Sequence, residues 1–282
     1  YNHLKHSGLN VVNPMQCNAG FLVSDDLQKT VLSWRQVRQL FTGESFVVPF
    51  ALTHMDMSSL QPEQVFFRVS TSGLAAGNSL DEAIFHGICE KIERFYAYKW
   101  SKANPETKMH ATIKLSTLDA SNQALLELLL SRNYTVTVWC LNDNAQIPGF
   151  LCALSDEKTF RHLGVCYGSG VHWDKSIALS RAILEAIQTR LTYIMGARED
   201  IDAGFYRQNK KMQVGLSNVQ GAMDFEVIST ADALLTAPAI KQYLLDQLKA
   251  LNCQQVYVLD HTKANIGIPV AQIIIPGLKA ST

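Results

Sequence analysis

Charge is scarce in this 282-residue chain: Asp, Glu, Lys and Arg make up 18% of it, 25 of each sign, for a formal net charge of zero. Without a basic run there is no electrostatic footprint for a polyanion, so nucleic acid is not among the expected partners. Apolar stretches stay far below the roughly 18 residues of a membrane span, and the start of the chain has no basic-then-apolar secretory pattern. The expected setting is the cytoplasm, away from a membrane. Cysteine occurs six times, at 17, 89, 140, 152, 166 and 253, but never as Cys-x-x-Cys. Most of the six lie in apolar segments and read as buried thiols of a reducing compartment rather than a zinc site. Two nucleotide signatures are also missing, the Gly-Lys-Ser/Thr ending of a P-loop and the G-x-G-x-x-G of a dinucleotide fold.

What is present is ample core material, 47% hydrophobic residues, and an unusual acidic stripe. At about 100° per residue, Glu82, His86, Glu90 and Glu93 fall within roughly 80° of one another, while Ile84, Phe85, Ile88, Cys89, Ile92 and Phe95 occupy the arc from about 200 to 340°. One face of this helix is core and the other acidic. Three carboxylates in one stripe repel, so a cation, an Arg or open solvent must offset them, and Arg94 alone cannot neutralise all three. The stripe is therefore either a solvated face, with Ser79-x-x-Glu82 an ordinary capping box, or a surface aimed at a ligand. Ser70-Thr71-Ser72-Gly73-Leu74-Ala75-Ala76-Gly77-Asn78-Ser79 precedes it and reads as a glycine-rich turn. Such a turn presents backbone N–H groups and the positive end of the helix dipole, which suits phosphate.

The arrangement recurs about 95 residues later. Gly168-Ser169-Gly170-Val171-His172-Trp173 leads to Asp174, a good N-cap, and to a helix running to about Gly196. At that offset Gly73 matches Gly168, Ser79 matches Asp174, Ala83 matches Ala178, Glu90 matches Glu185, and Glu93 matches Gln188. Arg181, Glu185 and Gln188 again share one face. A narrow polar stripe on an apolar helix either aims at something or forms a buried Arg181/Glu185 pair.

With Glu82-Ala83, Glu90-x-x-Glu93-Arg94, Gly168-x-Gly-x-His172, Arg181-Ala182-x-x-Glu185-Ala186-x-Gln188-x-Arg190, Gly196-Ala197-Arg198-x-Asp200, Ile268-Pro269-Val270 and Pro276-Gly277-Leu278, the chain resembles the YcaO family over roughly residues 34 to 278. The resemblance implies a YcaO-like α/β fold and an ATP- and Mg2+-dependent enzyme. Such an enzyme phosphorylates the oxygen of a peptide-backbone amide after a nucleophile has added to its carbon, leaving an azoline, a thioamide or an amidine. It further implies Glu90 and Glu93 as magnesium ligands, Asn78, Glu82 and Arg94 as nucleotide or phosphate contacts, and Arg181, Glu185 and Gln188 as lining of the same cleft. No catalytic residue is implied. The partner is a peptide or protein substrate, with a leader-binding or sulfur-donor protein and a homodimer as open alternatives. A YcaO-like scaffold that binds a partner without catalysis is the other reading.

Two departures from the family stand out. Ala75 occupies a position where serine is common, and nothing in residues 1–69 matches the family's further acidic helix of the Ser-x-x-x-Glu-x-x-Glu-Arg type. Residues 1–33 therefore read as a connector left from a missing upstream segment, 34–282 as the YcaO-like domain, and residues 1–282 alone are expected to bind ATP weakly or not at all. Along the chain, strands are expected over 46–52, 65–70, 134–141, 150–154, 255–260 and 270–275, and further helices over 118–130 and 239–251. Helix-strand-strand thus occurs twice, an internal duplication within an α/β architecture. Residues 201–226 have weak periodicity and read as a long connection. His54, His110 and His162 read as surface or core residues, and His172 as a pocket candidate.

Overall fold

The computed structural model describes residues 8–17, 30–55, 66–67, 70–141, 147–156, 164–196, 221–231 and 235–278. Arg198, Asp200, His162, the turn at 142–144, half of the 65–70 segment, and most of the 1–33 and 201–226 segments lie outside the described residues. The chain forms two compact units, one of Tyr1–Phe95 with Thr236–Thr282, the other of Tyr96–Leu235. No described helix is long and apolar enough to cross a membrane.

The first unit is built on strands β1 (Trp34–Gln39), β2 (Ser45–Pro49), β3 (Leu74–Ala76), β7 (Tyr257–Asp260) and β8 (Val270–Ile274), in the order β2-β1-β7-β8-β3. All four pairings are antiparallel. Val37, Val48, Tyr257, Leu259 and Ile274 fill one core cluster of this unit. Helix α1 (Leu80–Lys102) starts here and its last turns, from Tyr96, belong to the second unit. Of the expected apolar arc, Ile84, Phe85, Ile88, Cys89 and Ile92 are buried and Phe95 is half-buried; Ala83, outside that arc, is buried as well. At Gly87 a Cβ would come within 2.8 Å of both the Gly73 carbonyl oxygen and Ile273 Cγ1, so only glycine lets the helix lie this close. Helix α5 (Ala237–Ala250) precedes β7 and buries Leu244, Leu245 and Leu248.

The second unit contains α2 (Pro105–His110), α3 (Ala120–Ser131), β4 (Tyr134–Cys140), β5 (Gly149–Asp156), β6 (Cys166–Val171) and α4 (Lys175–Met195). The three strands form an antiparallel sheet in the order β4-β5-β6. Helix α4 starts at the Asp174 cap, whose carboxylate accepts the N–H groups of Ser176 and Ile177, and ends at Gly196 with φ 60°. Its Ala178, Ala182 and Ala186 are fully buried. A Cβ at Gly168 would sit 2.2 Å from the Ala186 nitrogen, and one at Gly170 2.3 Å from the Ala178 carbonyl oxygen, so the helix rests directly on the strand backbone.

The fold is mixed α/β, as expected; both sheets are antiparallel, and the duplication runs deeper than two helix-strand-strand segments. In the first unit α5-β7-β8 is completed by β3 and α1; in the second α3-β4-β5 is completed by β6 and α4. Both glycine-rich segments, read from the sequence as turns, contain strands. Gly73, with φ 83°, turns the chain into β3, while Gly168 and Gly170 lie within β6. The expected 46–52 strand stops at Pro49, which has no N–H for the ladder, and continues as one 3-10 turn over Phe50–Leu52. All six cysteines are free and buried.

Candidate functional site

On α1 the acidic stripe begins with a closed local network. Glu82 Oε2 accepts the backbone N–H of Asn78 at 2.8 Å and its side-chain amide at 2.9 Å, while Ser79 Oγ accepts the Glu82 N–H. The Ser79 half of the expected capping box is formed, while the Glu82 carboxylate reaches back to Asn78, one residue before the cap. Those two bonds from Asn78, backbone then side chain, hold the Glu82 carboxyl below the usual range, with a smaller contribution from His86. Two turns on, Glu90 Oε2 accepts the Gly73 N–H at 3.1 Å and its Oε1 lies 3.8 Å from Arg94 Nη2. Glu93 is partly buried on the same helix.

Four backbone N–H groups of the glycine-rich segment are already taken and so not open to an anion, in contrast to the turn read from the sequence. Leu74 donates to the Thr71 carbonyl, Gly77 to that of Pro269, and the N–H groups of Gly73 and Asn78 are held by the two glutamates. The segment orients carboxylates instead. Lys91, absent from the expected site, crosses the same place. Its Cε lies 2.6 Å from where a Gly73 Cβ would be, and burial pushes its ammonium down to about 8, with Glu90 opposing the shift. Its position on the wheel, at the rim of the apolar arc, was the available signal.

In the second unit α4 presents Arg181, Glu185 and Gln188, all exposed, so no buried Arg181/Glu185 pair exists. Glu185 Oε2 accepts the Ser169 N–H at 2.7 Å, with the Ser169 hydroxyl at 3.3 Å. Each unit thus holds one helix glutamate by a single oxygen on the backbone N–H of its glycine-bearing segment.

Neighbouring motif residues have structural work. Arg190 is buried, donates from Nη2 to Asp156 Oδ2 at 2.7 Å and from Nε to the Tyr134 hydroxyl at 3.1 Å. His172 is buried too: its Nδ1 accepts the Asp174 N–H and its ring stacks on Trp173 at 3.7 Å, which places it in the start of α4 rather than in a pocket. Among the described residues no group of three or more His, Cys, Asp or Glu side chains is placed to hold a metal.

Comparison with known proteins gives a consistent family. The model of a family described as YcaO cyclodehydratase, ATP- and Mg2+-binding, matches residues 8–279. A protein of Rhizobium leguminosarum bv. trifolii, designated "Uncharacterized protein in tfuA 3'region", is 28% identical over 274 residues; the match covers 93% of this chain and 64% of that protein. The fold is similar to a heterocyclase solved in complex with substrate and cofactor, with TM-score 0.75 at 19% identity over 98% of this chain and 40% of that one. It is also similar to YcaO from Methanopyrus kandleri bound with AMPPCP and Mg2+, with TM-score 0.70 at 18% identity over 96% of this chain and 68% of that one.

Proposed function

This chain belongs to the YcaO family, and from that premise we propose that the full-length protein binds Mg-ATP and activates a backbone amide of a peptide or protein substrate. The observation that carries this reading is the matched pair of oriented glutamates, Glu90 on the Gly73 N–H and Glu185 on the Ser169 N–H. Backbone bonds of this kind fix a ligating carboxylate before the ligand arrives, so less ordering remains to be done on binding.

Glu90 and Glu93 hold the magnesium ion in this proposal, and Arg94, 3.8 Å from Glu90, offsets negative charge beside it. Asn78 and Glu82 act as one hydrogen-bonded unit toward the nucleotide, with Arg181, Glu185 and Gln188 as further contacts. In this proposal a nucleophile adds to the amide carbon, the amide oxygen takes the γ-phosphoryl group that ATP would supply with release of ADP, and phosphate then leaves, giving an azoline, a thioamide or a related product. A leader-binding or sulfur-donor protein and a second copy of the chain belong to the same proposal as partners.

Calorimetric titration of Mg-ATP into the full-length protein tests it. Glu90→Gln keeps an oxygen for the Gly73 N–H but loses the charge, so affinity should fall at least about tenfold, roughly 1.4 kcal/mol, with the fold intact by circular dichroism. Tight binding indifferent to Glu90→Gln, Glu93→Gln and Glu185→Gln would remove the assigned ligands.

A further inference from the structure

Gly87, Glu90 and Lys91, spaced along one face of α1, close around Gly73 at the entrance to β3. Gly87 lies against the Gly73 carbonyl oxygen, which accepts the Ile273 N–H at 2.8 Å, and Glu90 Oε2 accepts the Gly73 N–H. Lys91 covers a further side: its Cε and Cγ lie 2.6 and 3.3 Å from the place a Cβ on Gly73 would take. The stem of the lysine, not its charge, makes this contact. Among the described residues no carboxylate lies within ion-pair distance of the Lys91 ammonium, and Glu90 Oε1 is turned toward Arg94.

What the cover does follows from the bond beneath it. Gly73, at φ 83°, has the freest kind of backbone, so its N–H swings away from an acceptor unless neighbours restrain it. Its bond to Glu90 is only part-buried, and water that reaches the N–H competes for it. A lysine stem laid along the backbone excludes that water and leaves the bond in a lower dielectric, where it is stronger. The second unit solves the same problem differently. Ala186 stands there at the position matching Lys91, and the α4 backbone itself takes the place beside Gly168, 2.2 Å from where its Cβ would be. Only in the first unit does a side chain fill that place.

We propose that Lys91 is a positioning residue: its stem, laid over Gly73, keeps the Gly73 N–H on Glu90 and so holds that carboxylate in the orientation in which it takes magnesium. The magnesium part rests on the Mg-ATP reading above, whereas the hold on Glu90 does not. Hydrogen exchange at the Gly73 amide and Mg-ATP calorimetry, both on the full-length protein, test it with two variants. Lys91→Ala removes the stem and puts the best helix former in its place, so α1 stays intact; Lys91→Met keeps a stem and drops the charge. Lys91→Ala should speed Gly73 exchange at least about tenfold, with exchange at Ser169 unchanged, and weaken Mg-ATP binding at least about fivefold. Lys91→Met should bring both readings back to within about twofold of wild type. In a Glu90→Gln background Lys91→Ala should change Mg-ATP affinity by less than about twofold, since the residue acts through Glu90. Unchanged Gly73 exchange in Lys91→Ala overturns the proposal. So does a Lys91→Met variant as weak as Lys91→Ala, because the ammonium and not the stem is then at work, and so does an equal loss with and without the Glu90 charge. If wild type binds no Mg-ATP, that reading falls alone, and Gly73 exchange still decides the hold on Glu90.

Discussion

Glu185 of α4 accepts the backbone N–H of Ser169 in β6 at 2.7 Å, tying a helix carboxylate to the outermost strand of its sheet. Gln in its place can still accept that bond, whereas Ala leaves the N–H to water. Glu185→Gln should therefore alter unfolding free energy by less than about 0.5 kcal/mol while weakening Mg-ATP binding at least about tenfold. Glu185→Ala should add a stability loss of about 1 kcal/mol for the lost hydrogen bond. Urea unfolding and calorimetry on the two variants separate the effects.

Gly168 and Gly170 should tolerate no side chain. A methyl at either meets backbone atoms of α4 at 2.2–2.3 Å, and backbone cannot swing aside as a flexible side chain does. Gly168→Ala and Gly170→Ala are expected to cost about 3 kcal/mol or more. Gly267→Ala, with φ 75° and nothing within 4 Å, should cost only about 1–2 kcal/mol. Thermal unfolding of the three variants gives the ranking.

Arg190→Met should be among the most damaging changes outside the glycines, about 3–5 kcal/mol, because it leaves Asp156, 2% exposed, buried without its charged partner. Adding Asp156→Leu removes that orphaned charge. The double variant should regain most of the loss, and a double-mutant cycle in urea measures it.

Asp119 caps α3 and carries a pH dependence. Burial raises its carboxyl pKa, but hydrogen bonds from the Ser121 and Asn122 side chains, the Asn122 backbone and the Ser176 side chain outweigh that and leave it lowered. A carboxyl lowered on folding adds stability above its unfolded value of about 3.9, and this is lost as the pH falls through the folded value. Asp119→Ala should cost about 1 kcal/mol at pH 7, and the difference between wild type and variant should shrink below about pH 4. Urea midpoints across pH 2–7 follow this directly.

Periodic segments were legible in the sequence because a two-sided environment writes itself into residue spacing. The apolar arc of α1, the Asp174 cap and Gly196 terminus of α4, and strands β4, β5, β7 and β8 all carry that signal. Strands β3 and β6 did not, since glycine and alanine argue against a strand locally; in β6 Gly168 and Gly170 carry no side chain because the backbone of α4 lies on them, which is tertiary information. β1 escaped too, with Arg35, Gln36 and Arg38 breaking up its apolar content. The acidic stripe was visible as composition. What orients it was not, because the Gly73 and Ser169 N–H groups reach Glu90 and Glu185 across 17 and 16 residues.

The shared strand plan of the two units also sets an order in time. β6 follows β4 and β5 in the chain, so the second sheet can close as soon as its own residues have been synthesised. β3 and the start of α1 emerge early but must wait for β8, whose Ile273 N–H meets the Gly73 carbonyl, nearly 200 residues later. On the ribosome the middle of the chain should become protease-resistant before the beginning does, reversing the usual N-terminal-first sequence.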